Sequence, residues 1–157
     1  MRNWITLLFF LLAAFAVAGI GGYATASSVQ EWYPDLTKPS WNPPKWVFGP
    51  AWTLLFILMS VAIWRAWSRC RDQGQPSRSL LVLHGIQLGL NALWSILFFG
   101  LRRPDLALIE IFVLLLFLLA LQVRLFRIDH TAGWLWSPYL AWVSFATTLN
   151  FAIWHLN

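Results

Sequence analysis

The sequence predicts an all-α integral membrane protein, with residues 1–157 forming a single membrane domain of five transmembrane helices. The chain is 59% apolar and only 11% charged, whereas about 25% of the residues in a soluble domain are charged. Three stretches contain no Asp, Glu, Lys or Arg at all, namely residues 3–30, 79–101 and 133–157. These apolar runs are too long for membrane strands, and their polar residues do not alternate as a barrel requires.

A helix that spans a membrane needs about 20 largely apolar residues. The hydropathy pattern places five such spans at 4–22, 47–67, 79–99, 105–126 and 132–155. Residues 23–46 then form a loop between the first two spans. Cys70 is the only cysteine, so no intrachain disulfide is possible.

The first span allows two interpretations. Arg2, the apolar run 5–20 and the sequence 24–26 (Ala-Thr-Ala) together have the pattern of a secretory signal peptide with its cleavage site. Alternatively, Ala14, Ala18 and Gly22 recur every four residues and form a small-residue stripe suited to close packing of helices in lipid. We favour a retained first helix.

The loop between the first two spans carries an unusual density of proline and tryptophan. Residues 31–52 contain four of the twelve tryptophans and five of the eight prolines. Proline restricts its own φ and biases the preceding residue towards extended geometry, so we expect a stiff, extended loop, which we name the lid. Its lid residues are Trp32, Pro39, Trp41, Pro43, Pro44 and Trp46. The alternative is an aromatic belt that anchors the loop at the headgroups.

Polar side chains form a stripe along the third span. His84, Gln87, Asn91 and Ser95 lie on one face at helical spacing. Such a stripe in lipid should face protein or a cavity, and simple hydrogen bonding between helices is the alternative to a ligand site. Gly85 and Gly89 form a GxxxG pair, which is a weak signal for a dimer interface.

The other spans add candidate site residues. Trp52 and Phe56 share a face of the second span, and Trp142 and Ala146 share a face of the fifth with Tyr139 and Asn150. Glu110 lies in the fourth span, where we expect it to pair with Arg102 or Arg103, with contact to a ligand as the alternative.

The basic residues indicate an orientation. With five spans, one side of the membrane carries seven Lys and Arg residues and the other carries four, namely Lys38, Lys45, Arg102 and Arg103. The positive-inside rule then places the N-terminus in the cytoplasm and the lid outside. We expect a cell membrane, with an outer membrane as the alternative. No basic cluster indicates nucleic acid.

Several motifs resemble the TspO/translocator family, also called tryptophan-rich sensory proteins or peripheral benzodiazepine receptors. They are residues 32–33 (WY), 38–47 (KPSWNPPKWV), 49–52 (GPAW), Asn91 with 98–100 (FFG), 138–142 (PYLAW) and 145–150 (FATTLN). The resemblance covers nearly the whole chain. It implies a five-helix bundle, usually a homodimer, with a pocket beneath the first loop.

The resemblance also implies ligands and site residues. Family ligands are porphyrins such as protoporphyrin IX, sterols and synthetic benzodiazepine-type compounds. The implied ligand-binding residues are Tyr33, Trp52, Phe56, Asn91, Trp94, Ser95, Trp142 and Ala146. A sterol pattern found in animal members is incomplete here, because Phe151 stands where a Tyr is expected. This departure weakens the case for a sterol and favours a bacterial member.

Four functions follow as expectations, and one of them is a structural or assembly role without a small ligand, in which Gly85 and Gly89 pack against a partner helix. The first is a receptor or sensor for tetrapyrroles that affects tetrapyrrole handling or stress signalling. The second is a transporter of tetrapyrroles or sterols, although no inverted repeat is evident. The third is light- and oxygen-dependent porphyrin breakdown, with Trp52 and Trp142 as candidate catalytic residues. The sequence contains no metal-ligand spacing, catalytic triad or cofactor fingerprint, so we expect no cofactor and no metal and favour a non-enzymatic role. The resemblance implies a porphyrin as ligand.

Overall fold

The computed structural model describes residues 4–157 and is helical throughout its regular structure. Five long helical segments follow one another, with two short ones inside the first connection. The helices are α1 (Trp4–Ala26), α2 (Ser28–Glu31), α3 (Lys45–Asp72), α4 (Arg78–Ser95), α5 (Pro104–Ile128) and α6 (His130–Leu156). A 3₁₀ turn covers Tyr33–Asp35, and a π-helical turn, Ile96–Gly100, continues α4.

Four helical segments are long and apolar enough to cross a membrane. They are Trp4–Ala26, Lys45–Asp72, Arg78–Gly100 and Pro104–Ile128, and they confirm four of the five predicted spans. The fifth, α6, is 27 residues long, but its Trp, Tyr, Ser, Thr and Asn residues lower its mean hydropathy. Its crossing of the membrane therefore stays a prediction.

The long helices form a closed ring. α1 packs against α3 and α4, α3 also packs against α6, and α5 lies between α4 and α6 with its most extensive contacts to α6. Apolar side chains from all five helices fill the interior, including Ala14, Met59, Leu88, Leu118 and Trp136. Because lipid tails are as apolar as these side chains, close van der Waals packing between the helices, rather than transfer from water, stabilises the ring.

The prediction of an extended loop over residues 23–46 is wrong for its first half. α1 continues to Ala26, α2 follows at once, and Tyr33–Asp35 forms a 3₁₀ turn, so the non-helical part of the lid is 36–44. The helical half is stabilised by contacts that the sequence pattern does not reveal. Ser28 Oγ, for example, donates a 2.6 Å hydrogen bond to the carbonyl oxygen of Phe99.

The predicted third span also differs in its last turn. Residues 96–100 are π-helical, and the N–H of Leu101 donates to the carbonyl of Ile96 at 2.7 Å. A π turn leaves backbone carbonyls that need other partners. The bond from Ser28 to the carbonyl of Phe99 provides one such partner. This turn aims Phe98 and Phe99 at the space beneath the lid.

Tight turns end the helices on the side opposite the lid. α3 ends in a Schellman motif, in which the Gln75 N–H donates to the Cys70 carbonyl at 2.8 Å and the Gly74 N–H to the Arg71 carbonyl at 3.1 Å. Gly74 has φ +66°, which is the left-handed conformation that this motif requires and that glycine adopts without strain. Asp129 caps α6 by accepting from the Ala132 N–H at 2.9 Å.

Candidate functional site

A cavity of about 620 Å³ lies between α1, α3, α4 and α6, directly beneath the lid. Its volume falls within the range of about 300–1,000 Å³ that is typical of small-molecule sites. Its walls are mostly apolar and aromatic, with a few polar groups. The lining residues include Ala18, Gly22 and Thr25 from α1, Phe48 and Trp52 from α3, Asn91 and Trp94 from α4, and Trp142 and Ala146 from α6.

The cavity brings together all eight side chains that were predicted to bind a ligand. Tyr33, Trp52, Phe56, Asn91, Trp94, Ser95, Trp142 and Ala146 all line it. They come from the 3₁₀ turn of the lid, α3, α4 and α6, which are far apart in the sequence. That these residues contact a ligand stays a prediction.

Two indoles form one wall of the cavity. The ring centroids of Trp52 and Trp142 are 6.5 Å apart, with an interplanar angle of 82°. Phe56 packs beside Trp52 at 5.5 Å, and Phe48 meets the edge of Trp142 at 6.0 Å. Edge-to-face contacts of this kind fix the orientation of each ring. The wall therefore presents broad aromatic faces. Its side chains would lose little conformational freedom if a molecule bound against them.

Polar groups hold the opposite wall. The Trp94 indole N–H donates to Asn150 Oδ1 at 3.0 Å, and Asn150 Nδ2 donates to the Pro104 carbonyl at 2.9 Å. Trp94 also stacks on Phe98 at 5.1 Å. Asn150, which lines the cavity, therefore ties α6 to α4 and to the start of α5.

A chain of hydrogen bonds leads from the cavity into the core. Asn91 Nδ2 donates to the Tyr139 hydroxyl at 3.0 Å, and that hydroxyl donates to Gln87 Oε1 at 2.9 Å. Gln87 Nε2 lies 3.1 Å from His84 Nδ1. All four side chains are buried. Gln87 and Asn91 therefore bond to Tyr139 of α6, whereas His84 meets Gln87 of its own helix and its Nε2 has no partner among the described residues. Of the polar stripe, Asn91 and Ser95 line the cavity.

The lid covers the cavity mainly through Tyr33. This side chain is 6% exposed, and its hydroxyl donates to Asn42 Oδ1 at 3.0 Å. Burial raises the pKa of the Tyr33 hydroxyl, and the bond to Asn42 opposes that rise only in part. Tyr33 therefore presents a neutral ring to the cavity.

None of the six predicted lid residues lines the cavity. Trp32 meets the edge of Phe98 at 5.8 Å, and Trp41 meets the edge of Phe145 at the same distance. Trp46 is 75% exposed. The belt interpretation therefore fits Trp46, whereas Trp32 and Trp41 brace the lid against α4 and α6.

The two lysines of the lid have different environments. Lys38 Nζ donates to the carbonyls of Tyr33, Pro34 and Leu36 at 2.7–3.3 Å, so it stabilises the lid. Burial, followed by the charge of Lys45, lowers the pKa of Lys38. Among the residues that line the cavity, Lys45 is the one lysine or arginine.

Glu110 is not paired as expected. Arg102 contacts Glu31 at 3.5 Å, and Arg103 makes a two-bond ion pair with Asp105 at 2.7 and 2.9 Å. Neither carboxylate oxygen of Glu110 has a hydrogen-bond partner in the described part of the chain, although the residue is only 7% exposed. Glu110 also does not line the cavity, which argues against direct ligand contact.

The contribution of α1 to the cavity was not predicted from the sequence. Val17, Ala18, Gly21, Gly22 and Thr25 all line the cavity. A Cβ at Gly22 would meet nothing within 4 Å, whereas one at Gly21 would lie 3.0 Å from Ser95 Oγ. Close packing therefore requires Gly21, while the absence of a side chain at Gly22 widens the cavity. The signal was present as paired glycines, but a small-residue stripe predicts packing equally well.

A ring of apolar helices around an enclosed aromatic cavity defines a multi-pass membrane protein with an internal site of small-molecule size. The chain matches the TspO/MBR family over residues 9–155. It is 41% identical over 155 residues to the tryptophan-rich protein TspO of Archaeoglobus fulgidus, covering 99% of each chain. It is equally identical to the tryptophan-rich sensory protein of Cereibacter sphaeroides, covering 99% of this chain and 93% of that one.

The similarity extends to animals. The human translocator protein is 33% identical over 154 residues, which cover 98% of this chain and 91% of the human one. The chain therefore belongs to the TspO/MBR family.

Proposed function

We propose that this protein is a membrane receptor or sensor that binds a flat, largely apolar ligand of the tetrapyrrole class in the cavity beneath the lid. The observation that carries the proposal is the wall formed by Trp52 and Trp142, whose rings lie 6.5 Å apart in a cavity of about 620 Å³. Aromatic walls suit flat rings, and rigid walls lose little entropy on binding.

The charge at the cavity mouth supports an acidic ligand. Protoporphyrin IX has an apolar ring and two carboxylates. Lys45 Nζ has one hydrogen bond to a backbone carbonyl, Val29 O at 3.3 Å, and an ammonium group can make three. We propose that the ring lies against the indoles while Lys45 meets a carboxylate.

The membrane arrangement belongs to the same proposal. We place α6 as the fifth span, the N-terminus in the cytoplasm and the lid outside a bacterial cell membrane. The arginine-rich ends of α3 and α5 support this orientation. Gly85 and Gly89 are exposed on α4 with open space above them, so this face is available to a second copy of the chain.

The test is a titration of the purified protein in detergent with protoporphyrin IX, followed by tryptophan quenching and by the porphyrin absorbance. The comparison includes Trp52→Phe, Trp142→Phe and, as matched control, Trp134→Phe. Trp134 lies on α6 like Trp142, but it is 69% exposed and outside the cavity. We expect saturation at one ligand per chain and at least about tenfold weaker binding in the two cavity variants only, equivalent to about 1.4 kcal/mol. Linear quenching, or equal loss in Trp134→Phe, would refute the proposal.

Transport is a second candidate function, because several relatives are named translocator protein. The same cavity would then hold the cargo. Proteoliposomes with the protein, loaded on one side with protoporphyrin IX, separate the two functions. Flux that depends on Trp142 favours transport, and binding without flux favours a receptor.

A further inference from the structure

A second cavity lies at the end of the bundle opposite the lid. It has a volume of about 520 Å³ and lies between the end of α3, the following turn, α4 and the last turns of α5. Its lining residues are Cys70, Gln75, Pro76, Leu83, Ala120, Val123, Arg124, Arg127 and Ile128. The turn at Gly74 forms part of the rim of this cavity, and the backbone hydrogen bonds of its Schellman motif fix its conformation.

Positive charge at this end exceeds what the nearby acids can neutralise. Asp129 pairs with Arg65 at 3.0 Å, and Asp72 lies 3.6 Å from Arg71. Arg69, Arg78, Arg124 and Arg127 have no ion pair within the described residues. Two of these four arginines, Arg124 and Arg127, line the cavity.

Arg124 is held in place by one hydrogen bond and has further N–H donors without a partner among the described residues. Its Nη2 donates to Ser79 Oγ at 2.6 Å, which ties α5 to the start of α4. A guanidinium group has five N–H donors, and Nε of Arg124 has no hydrogen-bond partner in the described chain. Arg127 follows three residues later on the same helix, so the two guanidinium groups can approach one anion.

The remaining walls are apolar. Leu83, Ala120, Val123 and Ile128 line the cavity, and Val123 is 51% exposed on the outer surface of α5. Because α4 and α5 are both apolar enough to cross a membrane, these side chains lie where lipid chains pass. Cationic groups above an apolar wall match a phospholipid, which has an anionic headgroup above acyl chains. A free phosphate ion would gain nothing from this wall.

We propose that this cavity is a binding site for an anionic phospholipid, with the phosphate held by Arg124 and Arg127 and an acyl chain lying along Leu83 and Val123. Basic pockets between transmembrane helices on the cytoplasmic side bind anionic headgroups in this way. The arginine-rich end carries the larger share of positive charge, as the cytoplasmic face of a membrane protein does. This site is separate from the cavity beneath the lid and does not depend on its function.

The test measures lipid binding to the full-length protein by native mass spectrometry from detergent. Phosphatidylglycerol and phosphatidylcholine with identical acyl chains are the probes, and inorganic phosphate is the third. We expect phosphatidylglycerol to be preferred, and each Arg→Gln change to lower that preference by about fivefold. The R124Q/R127Q variant should therefore bind the two lipids nearly equally. Arg69→Gln is the matched control, because Arg69 is an exposed arginine at the same end that does not line the cavity.

A second variant protects the test against misfolding. R124K/R127K keeps both charges, and it should retain most of the preference even if the bond to Ser79 is lost. Equal loss in Arg69→Gln would show diffuse surface attraction and overturn the proposal. So would an unchanged preference in R124Q/R127Q, or inorganic phosphate that binds as tightly as the phospholipid.

Discussion

The hydroxyl group of Tyr139 forms hydrogen bonds with two buried amide side chains. It accepts from Asn91 and donates to Gln87, and its own side chain is fully buried. Helical periodicity placed Tyr139 on the same face as Trp142, and this pattern alone did not distinguish a cavity residue from one that packs against a neighbouring helix. The structure places it beneath the cavity floor, where the hydroxyl joins α6 to α4.

Tyr139→Phe should lower the free energy of unfolding by about 1–2 kcal/mol. The change leaves the Asn91 amide and the Gln87 carbonyl without their shared partner, and an unsatisfied buried polar group costs about 1–3 kcal/mol. Interhelical hydrogen bonds in membranes average about 0.6 kcal/mol, so we expect a loss of stability below the top of that range of about 1–3 kcal/mol. Denaturant unfolding in detergent measures the change. Tyr23→Phe is the control, since Tyr23 is 89% exposed, and equal stability of the two variants would contradict the role given to Tyr139.

At the scale of single residues, the sequence was sufficient to name cavity-lining side chains on α3, α4 and α6. Family motifs and helical periodicity together identified eight side chains that line one cavity. The same reasoning was wrong for Glu110, because Arg102 and Arg103 pair elsewhere. Arg102 adopts φ 55°, and this backbone conformation, which directs it towards Glu31, is not encoded in any residue spacing.

The lid is the element whose structure differs most from its sequence pattern. Prolines correctly indicated an extended segment at 36–44, but residues 28–35 are helical. Its tertiary bonds explain this outcome. Ser28 of α2 donates to the carbonyl of Phe99 in the π turn after α4, which lies 71 positions further along the chain. A contact of this range is not visible in the local sequence pattern of either element.

The C-terminal residue tethers the lid. The Thr37 N–H donates to Asn157 Oδ1 at 2.9 Å, and Asn157 Nδ2 donates to the Thr37 carbonyl at 2.9 Å. Asn157→Ala should therefore increase hydrogen exchange across residues 36–44, with the largest rise at the Thr37 amide. Asn157→Asp keeps the acceptor for that amide and loses the donor, so its exchange should rise less. Unchanged exchange in Asn157→Ala would show that the tether contributes nothing.

For the whole molecule, the sequence correctly predicted an all-α chain with several membrane spans, because hydropathy acts over long stretches. A cavity lies beneath the lid, and ligand binding there stays a prediction. The second cavity could not be predicted, because it depends on which arginines remain unpaired after the helices pack. Arg65 and Arg124 are alike in sequence context, yet Arg65 meets Asp129 and Arg124 meets Ser79. The difference arises from the order of helices around the ring.

The Arg65–Asp129 pair links α3 to the corner between α5 and α6 and should make the stability of the bundle sensitive to acid. Burial alone would raise the pKa of Asp129, but the Ala132 N–H and Arg65 outweigh it and lower the pKa below its usual value of 3.8. A lowered pKa in the folded state means that the stabilisation is complete above the unfolded pKa. It is lost as the pH falls from about 3.8 through the lowered value.

Asp129→Asn should remove this part of the acid dependence while keeping an N-cap for α6, since Asn caps helices as well as Asp. Thermal unfolding in detergent between about pH 6 and about pH 3 measures this pH dependence, because the range includes the ordinary Asp pKa of about 3.9. Asp72→Asn is the control, because Asp72 is an exposed partner of Arg71 at the same end. The role given to Asp129 is refuted if wild type and Asp129→Asn lose stability in parallel.

The tether at Asn157 has a further consequence for how the lid opens. The connection from Glu31 to Lys45 is fixed at both ends by helices, and Thr37 lies near its middle. A tether there divides one long loop into two short ones, and loop-closure entropy depends on the length of each. If the cavity binds a ligand as proposed, the half with Tyr33 and the half with Trp41 would be able to open separately, and an entering molecule would have to displace only one of them.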